Sequence, residues 1–96
     1  MQIEYSTRAL RDIQRLGEFL METNPQAAAD TATLIVEAVS LLTRHPHIGR
    51  IRPGELRELV ISRGRSGYVA LYRVDVLGDR VLMLAIRHQR EDAFRR

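Results

Sequence analysis

The chain has 96 residues, 45% of them hydrophobic and 28% charged, with no cysteine and a formal net charge of +3. That length supports one domain with a single modest core, and the composition excludes a disulfide scaffold, a thiolate metal site and a disordered chain. No apolar run approaches the roughly 20 residues that span a bilayer, and Met1 leads into structure-forming sequence without a signal-peptide pattern, so the expected address is a reducing cytoplasm.

Gln2-Ile3-Glu4-Tyr5 alternates polar and apolar residues, as a short strand does. Ser6 follows as an N-cap, its hydroxyl placed to accept a free backbone N–H of the next turn. Leu10, Ile13, Leu16 and Leu20 then recur every three or four residues and predict a helix over residues 7–22 with one apolar stripe. Asn24-Pro25 restarts a helix, because Asn caps and Pro at the first helical position loses no needed hydrogen bond. Ala28, Ala32, Ile35, Ala38, Val39 and Leu42 point this second helix at the same core. Its small side chains let the two helices close as an antiparallel hairpin, and Pro46 and Gly49 end it. Residues 47–55 read as a loop punctuated by Gly49, Pro53 and Gly54.

Three strands follow, over residues 56–62, 68–76 and 80–88. Gly64-Arg65-Ser66-Gly67 and Leu77-Gly78-Asp79 are the turns, each with a glycine where positive φ is expected. The second and third strands are apolar on both faces, which places them centrally. Leu59 and Leu71 are expected in the core. Tyr68 and Tyr72 share one side of their strand by parity, and a half-buried core role suits them better than stacking on bases. The charged tail, residues 89–96, is left as a short helix, a docked extension or a frayed end. The order predicts an α+β fold, β-α-α-β-β-β, a single domain over residues 1–96 with an antiparallel helical hairpin on one face of a mainly antiparallel sheet.

Charge is unevenly placed. Residues 1–49 carry four arginines against six acids, and residues 50–96 carry eleven against six. All fifteen basic residues are arginine, whose planar fork binds carboxylates and phosphates bidentately and does not shuttle protons at neutral pH. A basic sheet half suits a protein that grips an acidic or anionic partner. His45 and His47 flank Pro46 as loop residues, and with His88 they make no zinc spacing, so neither metal nor cofactor is expected.

The order of these elements and several local words resemble the RelE/ParE superfamily of bacterial type II toxins. The stretches are Ser6 to Leu16, Asn24-Pro25-Gln26-Ala27-Ala28, and Leu41-Leu42-Thr43-Arg44-His45-Pro46-His47-Ile48-Gly49-Arg50. They continue through Leu56-Arg57-Glu58-Leu59, Gly67-Tyr68-Val69-Ala70-Leu71-Tyr72-Arg73 and Ile86-Arg87-His88-Gln89-Arg90, covering nearly the whole chain in order. The Asn-Pro restart, the His-Pro-x-x-Gly-Arg loop and the His-Gln-Arg ending are most similar to the ParE, or plasmid-stabilisation, branch. Thr7 stands where the family often has proline. Phe94 is the only aromatic after His88, whereas many RelE-branch ribonucleases place a tyrosine near the C-terminus.

The ParE resemblance implies a non-enzymatic toxin that stops DNA gyrase by binding, and a cytoplasmic complex with an acidic antitoxin whose tail orders as it wraps the fold. Arg57, Arg63, Arg65, Arg73, Arg87 and Arg90 are the expected target- or antitoxin-binding residues. The alternatives are a ribosome-dependent mRNA endonuclease and a nontoxic module that keeps only the fold. RNA cleavage through the substrate's 2′-hydroxyl needs a base, an acid and cations around the phosphorane. Glu58 and His88 are the acid/base candidates for it, with Arg73 and Arg87 as the cations. The competing reading gives the arginines to structural ion pairs with Glu58, Asp75 or the tail acids, and His88 to packing.

Overall fold

The computed structural model of the chain describes residues 1–63 and 66–89; residues 64–65 of the expected turn and the tail from residue 90 lie outside these described residues. In chain order the elements are β1 (Gln2–Tyr5), α1 (Thr7–Thr23), α2 (Pro25–Ser40), a 3-10 turn (Leu41–Thr43), β2 (Arg50–Arg52), β3 (Leu56–Arg63), β4 (Ser66–Asp75) and β5 (Arg80–His88). The strands form one five-stranded sheet in the order β1-β5-β4-β3-β2. β1 pairs with β5 in parallel, and the other pairs are antiparallel.

Both helix starts obey the capping chemistry read from the sequence. Ser6 Oγ accepts the Ala9 N–H at 3.0 Å, and Asn24 Oδ1 accepts the Ala27 N–H at 3.2 Å. Asn24 also closes α1, because its own N–H donates to the Leu20 carbonyl. The helices pack on one sheet face. Ala9 and Leu16 from α1, and Ile35 and Val39 from α2, meet Leu59, Ile61, Tyr68, Ala70, Tyr72, Val81, Met83 and Ile86 of the sheet. Each large side chain in that cluster contributes roughly 1.5–3 kcal/mol of transfer free energy.

Several sequence expectations are corrected. Leu10 is 55% exposed, and Ala9, fully buried, takes the place on the stripe that Leu10 was given. On α2, Thr31 is buried and Ala32 is not. That helix ends at Ser40, ahead of Pro46, where Ser40 Oγ and Thr43 Oγ1 turn back to the carbonyls of Glu37 and Ser40. The stretch read as a loop contains β2, whose register on β3 opposes Arg50 to Glu58, Ile51 to Arg57 and Arg52 to Leu56. Positive φ at the second turn falls on Asp79 (51°) instead of Gly78, whose N–H is held by Asp75 Oδ1. Tyr68 and Tyr72 are fully buried, not half-buried, while Leu71 lies on the opposite face and is only partly buried.

The β4–β5 ladder carries one irregularity. Leu71 opposes Ala85 and Tyr72 opposes Met83, which leaves Leu84 as an extra residue, a β-bulge, on β5.

Candidate functional site

The sheet face away from the helices, called the open face below, carries exposed Val60, Arg50 and Arg73 beside buried Val69, Ala85 and Glu58, and the ladder registers determine which side chains reach it. Directly opposed residues in antiparallel strands share a face, and successive residues alternate. Leu59, Ile61, Tyr68, Ala70 and Tyr72 line the helix side, so Glu58, Val60, Val69, Leu71 and Arg73 belong to the open side. Carried across the ladders, Arg50 and Arg52 of β2 lie beside Glu58, Leu82 beside Arg73, and Arg87 beside Val69. The open face therefore presents Arg50, Arg52, Arg73 and Arg87 around a strip of aliphatic side chains.

These guanidiniums are not equivalent. Arg52 Nε lies 3.1 Å from Glu58 Oε1, an ion pair over a carboxylate only 10% exposed. Arg87 Nη1 donates to the carbonyls of His88 and Gln89 at its own strand end. Arg50 and Arg73 are exposed and make no ion pair or side-chain hydrogen bond among the described residues. They are the two cations of the face most available to an anionic group.

The acid/base candidates do not converge. Glu58 is buried on the open face under Arg52. His88 opposes Tyr68, and their rings meet edge to face on the helix side with centroids 5.3 Å apart. The sheet separates the two groups, so they cannot both reach one scissile phosphate. Among the described residues, no cluster of three or more His, Asp or Glu side chains gathers where it could hold a metal.

Arg57 lies on the helix side at the sheet edge. Its Nη1 donates to the carbonyls of His47 and Gly49, at 3.0 and 2.9 Å. Beside it, the Tyr72 hydroxyl donates to the Pro46 carbonyl at 2.7 Å and accepts the Gly49 N–H at 2.9 Å. Burial pushes the Tyr72 hydroxyl above the ordinary tyrosine value, against the lowering pull of the Gly49 N–H and the Arg57 charge. A Cβ on Gly49 would stand 2.5 Å from that hydroxyl and 2.8 Å from the Glu58 carbonyl, so glycine is required by close approach. These bonds tie the loop before β2 to β3 and β4 and so fix where Arg50 emerges.

At the end of the sheet, between the β2–β3 and β4–β5 turns, lies an open concavity of about 690 Å³. Its apolar lining is Ile51, Leu56, Val74, Val76, Leu77 and Leu82, and Arg73 lines it too. Ile51, Val76 and Leu77 are 76%, 67% and 101% exposed. Of the other predicted binding residues, Arg63 closes β3 opposite Ser66, and Arg65 and Arg90 fall outside the described residues.

Sequence reasoning missed Arg50 and Arg52, which stand in the stretch taken for a loop. The alternation Arg50-Ile51-Arg52 was the available signal. Asp12 was missed as well. Its Oδ2 accepts the Ile86 N–H at 2.8 Å, and only its position among the inward-facing residues of α1 hinted at this.

Comparison with known proteins places these features in context. The family model for the ParE toxin of the type II toxin–antitoxin system, parDE, matches residues 3–93. Toxin RelE3 of Caulobacter vibrioides is 37% identical over 89 residues, 93% of this chain and 95% of that protein. Toxin RelE1 of the same organism is 41% identical over 83 residues, covering 86% and 87% of the two chains. Among solved structures, the chromosomal ParDE system of P. aeruginosa superposes with a TM-score of 0.76 at 23% identity, over 92% of this chain and 95% of that one. The intact E. coli RelBE toxin–antitoxin complex gives 0.64 at 16% identity, over 94% and 98%. At these identities the structural likeness speaks to the fold.

Proposed function

The chain belongs to the ParE toxin family of type II toxin–antitoxin systems, and from that premise we propose that it disables DNA gyrase by binding, without catalysis of its own. An acidic antitoxin silences it by covering the same surface. One observation carries the reading: the open face offers Arg50 and Arg73 to an acidic partner, while Glu58 and His88 are divided by the sheet. A gripping surface needs cations and an apolar foothold, and the concavity beside Arg73 supplies the foothold. It needs no proton donor or acceptor. The solved relatives named for ParDE and RelBE pairs support an antitoxin as the partner, and excess positive charge would speed its capture.

Purified protein incubated with gyrase, ATP and relaxed plasmid should block supercoiling or accumulate cleaved DNA. Arg73→Glu and Arg50→Gln should each relieve the block without altering the far-ultraviolet circular dichroism. Codon-dependent cuts in mRNA on translating ribosomes, with gyrase unaffected, would overturn the proposal in favour of an endonuclease. Silence in both assays, with no effect on growth, would identify a module that keeps the fold alone.

A further inference from the structure

The register of β5 decides which residues of its C-terminal half lie on the open face, and a side chain outside the sheet bonds to that half of the strand. From Arg80 to Met83 the strand alternates regularly, with Val81 and Met83 in the core. Continued without interruption, the alternation would send Ala85 and Arg87 to the helix side and Ile86 and His88 to the open side. The bulge at Leu84 reverses this. Ile86 enters the core, His88 meets Tyr68 on the helix side, and Arg87 joins Arg73 on the open face.

The edge of β5 explains where the bulge sits. β1 ends at Tyr5, opposite Met83, so from Leu84 onward β5 is paired with β4 alone and has no strand on its other side. The first turns of α1 supply the missing partners. Ser6 N donates to the Met83 carbonyl at 2.9 Å, Ser6 Oγ donates to the Leu84 carbonyl at 3.0 Å, and Asp12 Oδ2 accepts the Ile86 N–H at 2.8 Å. Two consecutive carbonyls, of Met83 and Leu84, are thus engaged by one residue, which regular alternation does not allow. The Ile86 N–H emerges on this edge because the bulge has shifted the phase. The Asp12 carboxylate is 15% exposed and stands between Arg8 and Arg15, at 3.9 and 3.7 Å.

We propose that Asp12 is a positioning residue that holds the Leu84 bulge through the Ile86 amide and thereby presents Arg87, in place of His88, to the partner. This rests on the gripping role proposed above for the open face. Asp12 touches no partner itself. Its effect passes along β5.

Three substitutions separate reach from charge. Asp12→Asn keeps an acceptor oxygen at the same distance without the charge, and should retain both the bulge and the activity. Asp12→Glu keeps the charge for Arg8 and Arg15 but carries the acceptor one methylene too far, and should behave like Asp12→Ala. In the Ala and Glu variants, NMR should show Ile86 amide exchange faster by on the order of tenfold, while the amides of Ala70 and Tyr72 in β4 stay protected. The nuclear Overhauser contact between the His88 and Tyr68 rings should disappear. Gyrase inhibition should fall to the level of Arg87→Ala, and combining Asp12→Glu with Arg87→Ala should cost nothing further.

If Asp12→Ala does not fold, the Asn–Glu contrast still decides. Activity kept by Glu and lost by Asn would make Asp12 an ion-pair residue and overturn the proposal. So would a His88–Tyr68 contact that survives in the Glu variant. The ring contact and the amide exchange read the bulge directly, so their failure is distinct from a failure of the gyrase reading.

Discussion

At the scale of single residues, Tyr72 does more than fill the core. Its hydroxyl is the one side-chain group that both donates to Pro46 and accepts from Gly49, and it does so with no exposed surface. Tyr72→Phe keeps the ring and leaves a carbonyl and an N–H without their partner, which should cost about 1–3 kcal/mol in urea unfolding. An unchanged midpoint would mean that the loop before β2 stands without this latch. The alkaline limb carries a signature of its own. The folded value of Tyr72 lies above the ordinary 10.0, so its contribution is complete below that value and is lost as pH rises through the raised one. Tyr5 is also raised by burial, so Tyr72→Phe should flatten the alkaline decline in stability without abolishing it. Parity in the sequence placed the Tyr72 ring on the core side. Its hydroxyl partners lie 23 and 26 residues away in a loop, and no local pattern encodes such a contact.

At the scale of elements, periodicity found both helices and the core face of β3, but it misplaced Leu10 and Ala32 on the helix stripes and erred where both faces of a strand carry aliphatic residues. Leu59 lines the helix-side core, and Leu59→Ala should cost roughly 2–5 kcal/mol by opening a cavity. Leu71 was expected to match it, yet it lies partly exposed on the open face, so Leu71→Ala should cost clearly less. Leu10→Ala should stay within about 0.5 kcal/mol. Thermal melts of the three variants rank them directly, and equal losses for Leu59 and Leu71 would contradict the face assignment. β2 escaped notice because three residues before Pro53-Gly54 give too short an alternation to count. The bulge escaped because Leu84-Ala85-Ile86 is apolar throughout, and a one-residue slip leaves such a run looking the same.

The β4–β5 turn adds a second pH test. Arg80, hydrogen-bonded to Asp75 at 2.7 Å, holds that carboxyl below the ordinary 3.8. The folded value lies under the unfolded one, so the pair stabilises fully above the ordinary value and fades as pH falls through the lowered one. Asp75→Asn should therefore destabilise more at neutral pH than in strong acid. A constant penalty at every pH would mean that the charge of the Asp75 carboxylate does not stabilise the turn.

At the scale of the molecule, the uneven charge of the sequence becomes a property of one sheet face only after the fold is known. The sequence placed eleven arginines in its second half, and the sheet sorts them. Arg57 and Arg80 hold a loop and a turn, Arg52 covers Glu58, and Arg50 and Arg73 stay available. A linear count cannot distinguish these fates, because each depends on a strand partner contributed by another element. If the available pair does the gripping, Arg73→Glu and the neutral change Arg50→Gln, which puts no like charge opposite the buried Glu58, should each leave stability within about 0.5 kcal/mol of the parent. Association with an acidic antitoxin should slow sharply, and the remaining rate should depend much less on ionic strength between low and physiological salt. Reversal of Arg52 is the informative contrast. It would place a like charge beside the buried Glu58 carboxylate and should lower the melting temperature first. Should Arg50→Gln and Arg73→Glu lower the melting temperature as far as Arg52→Glu, those two arginines are structural and the open face is not the gripping surface.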